Sequence, residues 1–330
     1  MVTAARAARA AVLAIALVVA LAAAGDRPAR AQGALPEVTF AEPGRTTGEW
    51  AVYLAQSRGF YKDEGISVTI IDTDGPTNTI NQLATGAVNV AGVGTDNSIA
   101  AIARGLPIKL VSSMFLPNPY SLVTLPAIKS WQDLKGKAVM LATKQDVTAI
   151  AFAAMAAQHG MKMDDFSIYL AGSSPARYAA LTSGNAQGSI LTQPLDLVAE
   201  SNGMVRLATA GDAIKDWVFT GLNFNDAWAK ANPQLAVKFL RAIHKAMVYG
   251  YAHKAETVAS LVDAAKVDPA IAVKAYDLDW TRWHAFDPSL KIPAAGLDAV
   301  GAAQIQLGAI KEMPPLAALY DATYLTAATR

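Results

Sequence analysis

The chain has 330 residues, 17% of them charged, a formal charge of +1 and no cysteine. The missing cysteine rules out disulfides, thiolate metal sites and cysteine nucleophiles, and the near-neutral balance leaves no electrostatic footprint for nucleic acid or an anionic membrane. The length suffices to bury one large core or two.

The N-terminus reads as an export signal. Arg6 and Arg9 form a basic start, residues 10–24 (AAVLAIALVVALAAA) carry no charge, and Ala29-Arg30-Ala31 puts small residues at −3 and −1 of a cleavage site. A membrane anchor needs about 20 apolar residues, and this run is shorter. Residues 1–31 are therefore predicted to be a cleaved secretory signal. With no cysteine to carry a lipid, the mature product is expected to be free in solution. It keeps 24 basic and 26 acidic residues, a net charge of −2.

Beyond the signal, strands and helices alternate. VTFAE (38–42) is a short apolar run, followed by the turn PGRTTGE and a helix beginning near Glu49. ISVTII (66–71) alternates as a strand, a helical pattern spans 77–85, VNVAGVG (88–94) is a third strand, and a helix over 97–103 leads to IKLVSSM (108–114). Such spacing predicts a parallel sheet with crossover helices. The pattern stops in MFLPNPYSLVTLP and restarts at Trp131. Strands at 137–143, 167–172, 188–194 and 204–210, with helices over 147–159 and 175–183, make a second such set. After Phe219 the pattern is mostly helical, with a long amphipathic stretch at 233–252 and helices near 254–265, 268–276, 295–310 and 315–328. Two α/β lobes are expected, lobe 1 from 36–120 plus 223–330 and lobe 2 from 121–222. The chain would cross between them near 119–125 and 217–224, and ligands commonly sit between such domains.

The segments LAQSRGFYKDEGISVTI, NQLATGAVNVAGVGTDNSIAAIARGLPIKLV, SWQDLKGKAVML and SPARYAALTSGNAQGSILTQP, in this order, resemble a group of ABC-transporter substrate-binding proteins. These are the periplasmic binding proteins for aliphatic sulfonates, taurine, nitrate and thiamine-pyrimidine precursors, including the NMT1/THI5-like proteins. The resemblance covers most of 38–222 and, more loosely, the helical remainder. It implies a bilobal type II periplasmic-binding-protein fold, two parallel-sheet α/β lobes joined by two crossovers, with a ligand held in the cleft.

Ligands of parallel α/β lobes gather at the carboxyl ends of strands, where helix N-termini offer unsatisfied N–H groups. Three loops have that character. The first, 44–50, offers Thr46, Thr47 and Trp50; the second offers Gly94, Thr95 and Asp96; the third offers Thr143, Lys144, Gln145, Asp146, Val147 and Thr148. Thr46, Thr47 and Asp96 are equally good helix caps, and Trp50 could equally belong to the lobe core. Relatives often have a Gly-Ser pair where Lys144-Gln145 stands, so Lys144 adds a cation that an anionic ligand would meet. Gln193, ending a buried strand beside Thr192, is expected to hydrogen-bond the ligand, while Arg177 braces a helix or the cleft rim. Tyr120 and Phe219, in the presumed crossovers, are placed to stack on an organic ligand or to pack the hinge.

Enzyme signatures are missing from the sequence: no Gly-x-Ser-x-Gly turn, no His-Glu-x-x-His, no P-loop. Asp72-x-Asp74-Gly75 runs into Pro76 and lacks the bidentate glutamate of a calcium loop. His159, His244, His253 and His284 show no metal-ligand spacing. The resemblance also reaches a thiamine-pyrimidine synthase with a cysteine-rich iron motif, which a chain without cysteine does not match. The expectation is a monomeric carrier without cofactor or metal, not an enzyme. It would deliver a small organic anion (a sulfonate or carboxylate) or a polar heterocycle to an inner-membrane ABC permease in the periplasm. A sensor module feeding a receptor, and the binding protein of a TRAP-type transporter, remain open alternatives.

Overall fold

The computed structural model describes residues 34–329, of which 36–329 belong to one compact unit; the expected signal at 1–31 lies outside the described residues. Ten strands fall into two five-stranded sheets. The first is built from β1 (Glu37–Glu42), β2 (Ser67–Asp72), β3 (Val90–Gly94), β4 (Ile108–Phe115) and β10 (Thr220–Asn225), in the order β2-β1-β3-β10-β4. The second contains β5 (Ser121–Thr124), β6 (Ala138–Leu141), β7 (Ser167–Leu170), β8 (Gly188–Leu191) and β9 (Val205–Thr209), in the order β7-β6-β8-β5-β9.

Two α/β lobes are thus present, as expected, but their sheets are mixed rather than wholly parallel. β1 is parallel to β2 and β3, and β6 to β7 and β8. In contrast, β10 is antiparallel to β3 and β4, and β5 to β8 and β9. The reason is topological. A chain leaving β4 at its carboxyl end is already at the cleft, so the next strand must enter the second lobe from the cleft side and run the other way. The same holds on the return from β9 to β10. The expected crossovers at 119–125 and 217–224 are therefore largely β5 and β10, and the links proper are residues 116–120 and 210–219.

The helices that position the cleft are α1 (Trp50–Arg58), α2 (Pro76–Thr85), α3 (Thr95–Ala103), α4 (Val147–Ala157), α5 (Ser174–Thr182) and α6 (Leu195–Ser201). Downstream come α7 (Pro233–Ala252), α8 (Lys254–Ala265), α9 (Pro269–Tyr276), a π-helical turn (Asp277–Arg282) and α10 (Ala294–Gln306). α7 and α8 pack on α1, which returns the helical half of the chain to the first lobe. The helix expected over 315–328 is two short pieces, Leu316–Leu319 and Thr323–Ala328. Tyr320 leaves the helix to bridge Leu110 of β4, and the Asp321 N–H donates to the Leu110 carbonyl at 3.0 Å.

At the centre of that packing Trp50 meets Tyr276, Trp280 and Phe286 edge-on, with centroids 6.0 to 6.5 Å apart. Its Nε1 donates to the Thr257 carbonyl at 2.9 Å and to Ser260 Oγ at 3.0 Å. A buried indole with its polar atom satisfied is a core anchor. No helix among the described residues is long and apolar enough to cross a membrane.

Candidate ligand-binding site

A cleft opens where the carboxyl ends of both sheets face each other. After β1 come Pro43, Gly44, Thr46 and Glu49; after β3, Gly94 and Asn97. From the second lobe, Ala142, Asp146 and Val147 follow β6, Gly172, Ser173 and Ser174 follow β7, and Thr192 follows β8. The two links supply Tyr120 and Phe219, with Thr220 at the start of β10. The free volume is about 50 Å³, well below the ~300–1,000 Å³ of organic-ligand pockets. The lobes are thus close together here, and a ring-sized ligand would fit only if they parted.

Hydrogen bonds between the lobes hold that closure. The Thr47 N–H donates to the Gln193 carbonyl at 3.2 Å, and the Val147 N–H at the start of α4 donates to Asp96 Oδ2 at 2.8 Å. Gln304 Nε2, on α10, donates to the Gln145 carbonyl at 3.1 Å.

The polar groups of the cleft are mostly acids and hydroxyls. Glu49 is buried, and Thr46 Oγ1 donates to its Oε2 at 2.5 Å. Burial, and then the neighbouring Glu42, holds the Glu49 carboxyl well above the usual carboxylate range. Glu42 itself is pushed up to about 7 by burial, although Tyr53 donates to it at 2.6 Å and Arg45 pairs with it at 3.0 Å. Asp146 caps α4, accepting from the Thr148 N–H at 3.1 Å and from Thr148 Oγ1 at 2.5 Å; burial raises it also. The hydroxyls of Thr192 and Thr220 are buried at the cleft wall and have no hydrogen-bond partner among the described residues.

One cation lines the cleft, Arg177, and it is 1% exposed. Its guanidinium donates to the carbonyls of Ile190 (2.7 Å), Ala171 (3.1 Å) and Gly172 (2.7 Å) and to Ser174 Oγ (2.8 Å). It thus ties the loop after β7 to β8, the bracing role expected of it. Above the cleft floor Tyr120 and Phe219 meet edge-on at 5.3 Å, and Arg177 lies 5.9 Å from the Tyr120 ring centroid.

Of the expected site residues, Thr46, Gly94, Tyr120, Asp146, Val147 and Phe219 line the cleft. Four expectations need correction. Trp50 belongs to the core described above, because its ring faces α8, α9 and the π-helical turn rather than the cleft. Lys144 is exposed and lines no cleft wall, since the loop after β6 turns its tip to solvent; Thr143 and Gln145 line a separate surface groove. Thr47, Thr95, Asp96 and Thr148 are buried one layer behind the wall, Thr148 supporting the Asp146 cap and Asp96 acting on α4. The Gln193 side chain is also behind the wall, unpartnered and facing Asp279, while its carbonyl serves lobe closure. Among the residues missed, Glu49 and Asn97 stood in loops already singled out, and Ser173-Ser174-Pro175 carried the same helix-opening signal after β7. Thr220 gave no signal, being hidden in a presumed crossover.

With this geometry in place, the comparisons with known proteins decide the family. The model described as NMT1/THI5 like matches residues 47–257, more than half of the chain. The chain belongs to the NMT1/THI5-like family. A family relative from Aspergillus parasiticus, named 4-amino-5-hydroxymethyl-2-methylpyrimidine phosphate synthase, is 24% identical over 229 residues. That match covers 64% of this NMT1/THI5-like chain and 66% of the relative, just under two thirds of its length. The putative binding protein YtlA of Bacillus subtilis is 24% identical over 262 residues, covering 77% of this chain and 78% of the relative. Among solved structures, the alkanesulfonate-binding protein SsuA from Xanthomonas axonopodis pv. citri, bound to MOPS, superposes with a TM-score of 0.70 at 16% identity. It covers 88% of this chain and 100% of that one, and at that identity it shows the shared fold.

Proposed function

We propose that this protein is the solute-binding component of an ABC importer: exported, soluble and monomeric in the periplasm, it captures a small polar heterocycle between its lobes and presents the closed form to a permease. The observation that supports this reading is the interlobe cleft itself, walled by both lobes and lined by rings and unpartnered hydroxyls. Charge favours one of the two ligand classes the sequence left open. Among the described lining residues the cation an anion would meet is Arg177, which is already engaged by three carbonyls. A flat heterocycle bearing amino groups instead stacks on Tyr120 or Phe219. It donates to Asp146 and the hydroxyls of Thr192 and Thr220, and meets Glu49, whose carboxyl burial holds well above the usual range. The pyrimidine in the names of the curated relatives is a molecule of that kind. The carrier reading, rather than a synthase, is supported by the absence of cysteine from the sequence and by the lack of any catalytic motif.

A thermal-shift screen over aminopyrimidines, aliphatic sulfonates, carboxylates and nitrate tests this reading, because a ligand bound by the native state alone raises apparent stability. Aminopyrimidines are expected to raise Tm and sulfonates not. A rise with sulfonates alone would overturn the ligand class, and no rise with any compound would overturn the carrier reading.

A further inference from the structure

The carboxylate of Asp96 stands between two helix N-termini that belong to different lobes. It sits in the first turn of its own α3, where Asn97 Nδ2 donates to Oδ2 at 3.0 Å, and the same oxygen accepts the Val147 N–H at 2.8 Å. The first N–H groups of α4 lack partners within their helix and carry the positive end of its dipole. Asp146 satisfies the next two, Thr148 and Ala149, from within the second lobe. Val147 is therefore capped from across the cleft. Asp96 is 2% exposed and does not line the cleft, so it reaches neither solvent nor solute in this form.

We propose that Asp96 is a positioning residue, a proton-sensitive latch that fastens α4 of the second lobe to the first lobe and so sets how readily the cleft closes. The proposal rests on the solute-binding reading above. Closing the lobes buries the Asp96 carboxyl and brings it against Asp146; burial first, and then Asp146, pushes it up to about 7. Asp146 is the charged group that acts on Asp96 directly, while Arg177 on α5 lowers Asp146 from the other side. Opening the lobes returns Asp96 to water and to its ordinary value of 3.8. The closed form then binds a proton that the open form releases between about pH 4 and 7. Closure is favoured in acid and weakened as pH rises through 7, and the ratio of closed to open is about tenfold higher at pH 6 than at pH 8.

The chain has no cysteine, so Thr85→Cys on α2 and Ala179→Cys on α5, both exposed positions in opposite lobes, take a pair of spin labels cleanly. Interlobe distances are then measured between pH 6 and 8 without any solute. In the wild-type background the short-distance population should dominate at pH 6 and recede at pH 8. Asp96→Asn keeps an acceptor for Val147 and cannot ionise, so its population should stay short and flat with pH. Asp96→Ala removes the acceptor and should show the long distance at pH 6. A wild-type distribution unchanged across this range, or an Asp96→Asn variant that keeps the wild-type response, overturns the latch. Because no solute is used, failure here is distinct from failure of the thermal-shift screen.

Discussion

Single residues divide here into those the cleft exposes and those it only leans on. Glu49 is a buried acid at the wall whose carboxyl is held well above the usual range, so Glu49→Gln should preserve most of the ligand affinity while Glu49→Ala should lower it by about tenfold, the value of one hydrogen bond to a buried group. Titration calorimetry on both variants checks the distinction; equal losses would mean that Glu49 acts as a charge. Lys144, exposed and away from the cleft, should be replaceable by alanine without any change in affinity. Asp279 is a different case, fully buried with neither carboxyl oxygen hydrogen-bonded. Burial and then the charge of Asp196 hold it well above its ordinary value. An acid raised in this way binds its proton more tightly folded than unfolded, so its contribution is complete below about pH 4 and is lost as pH climbs toward the folded value. Asp279→Asn should therefore raise Tm at pH 8 more than at pH 4. The reverse order in a thermal melt would contradict this account of the site.

Elements were legible where period and punctuation agreed. The strand after Pro36 and the helices at 233–252 and 254–265 follow directly from alternation and amphipathic spacing. β5 and β10 were not legible. Ser121–Thr124 is four residues long between prolines, and Thr220–Asn225 sits just after a link, so neither carries a pattern distinct from a connection. Their strand identity comes from neighbours distant in sequence, β8 and β9 for one, β3 and β4 for the other. Trp50 was left open between cleft and core for a related reason: a helix start beside a cleft loop says nothing of which side the ring takes, and the aromatic wall it joins lies more than 200 residues downstream. That wall gives a test of packing. An atom added at Gly250 would fall 2.3 Å from the Trp280 ring, so Gly250→Ala should cost about 1–3 kcal/mol in denaturant unfolding. An unchanged midpoint would show that α7 and the π-helical turn yield freely.

Across the whole molecule the burial of acids is the common theme. Glu42 and Asp96 are pushed up to about 7 and Asp196 to about 6, in each case by burial first. All three favour the folded form in acid, so their contribution is complete below about pH 4 and is lost as pH climbs from there to about 7.5. Melts across that range would contradict this if Tm rose instead. The same burial supports the proposal that the cleft takes an uncharged ring with donor edges. The most direct test of that central claim is titration calorimetry of an aminopyrimidine and an alkanesulfonate against the wild-type protein and Thr220→Val. The account expects saturable one-to-one binding of the pyrimidine, about tenfold weaker in the variant, and no heat from the sulfonate. Binding of the sulfonate alone, or pyrimidine binding indifferent to Thr220, would contradict it.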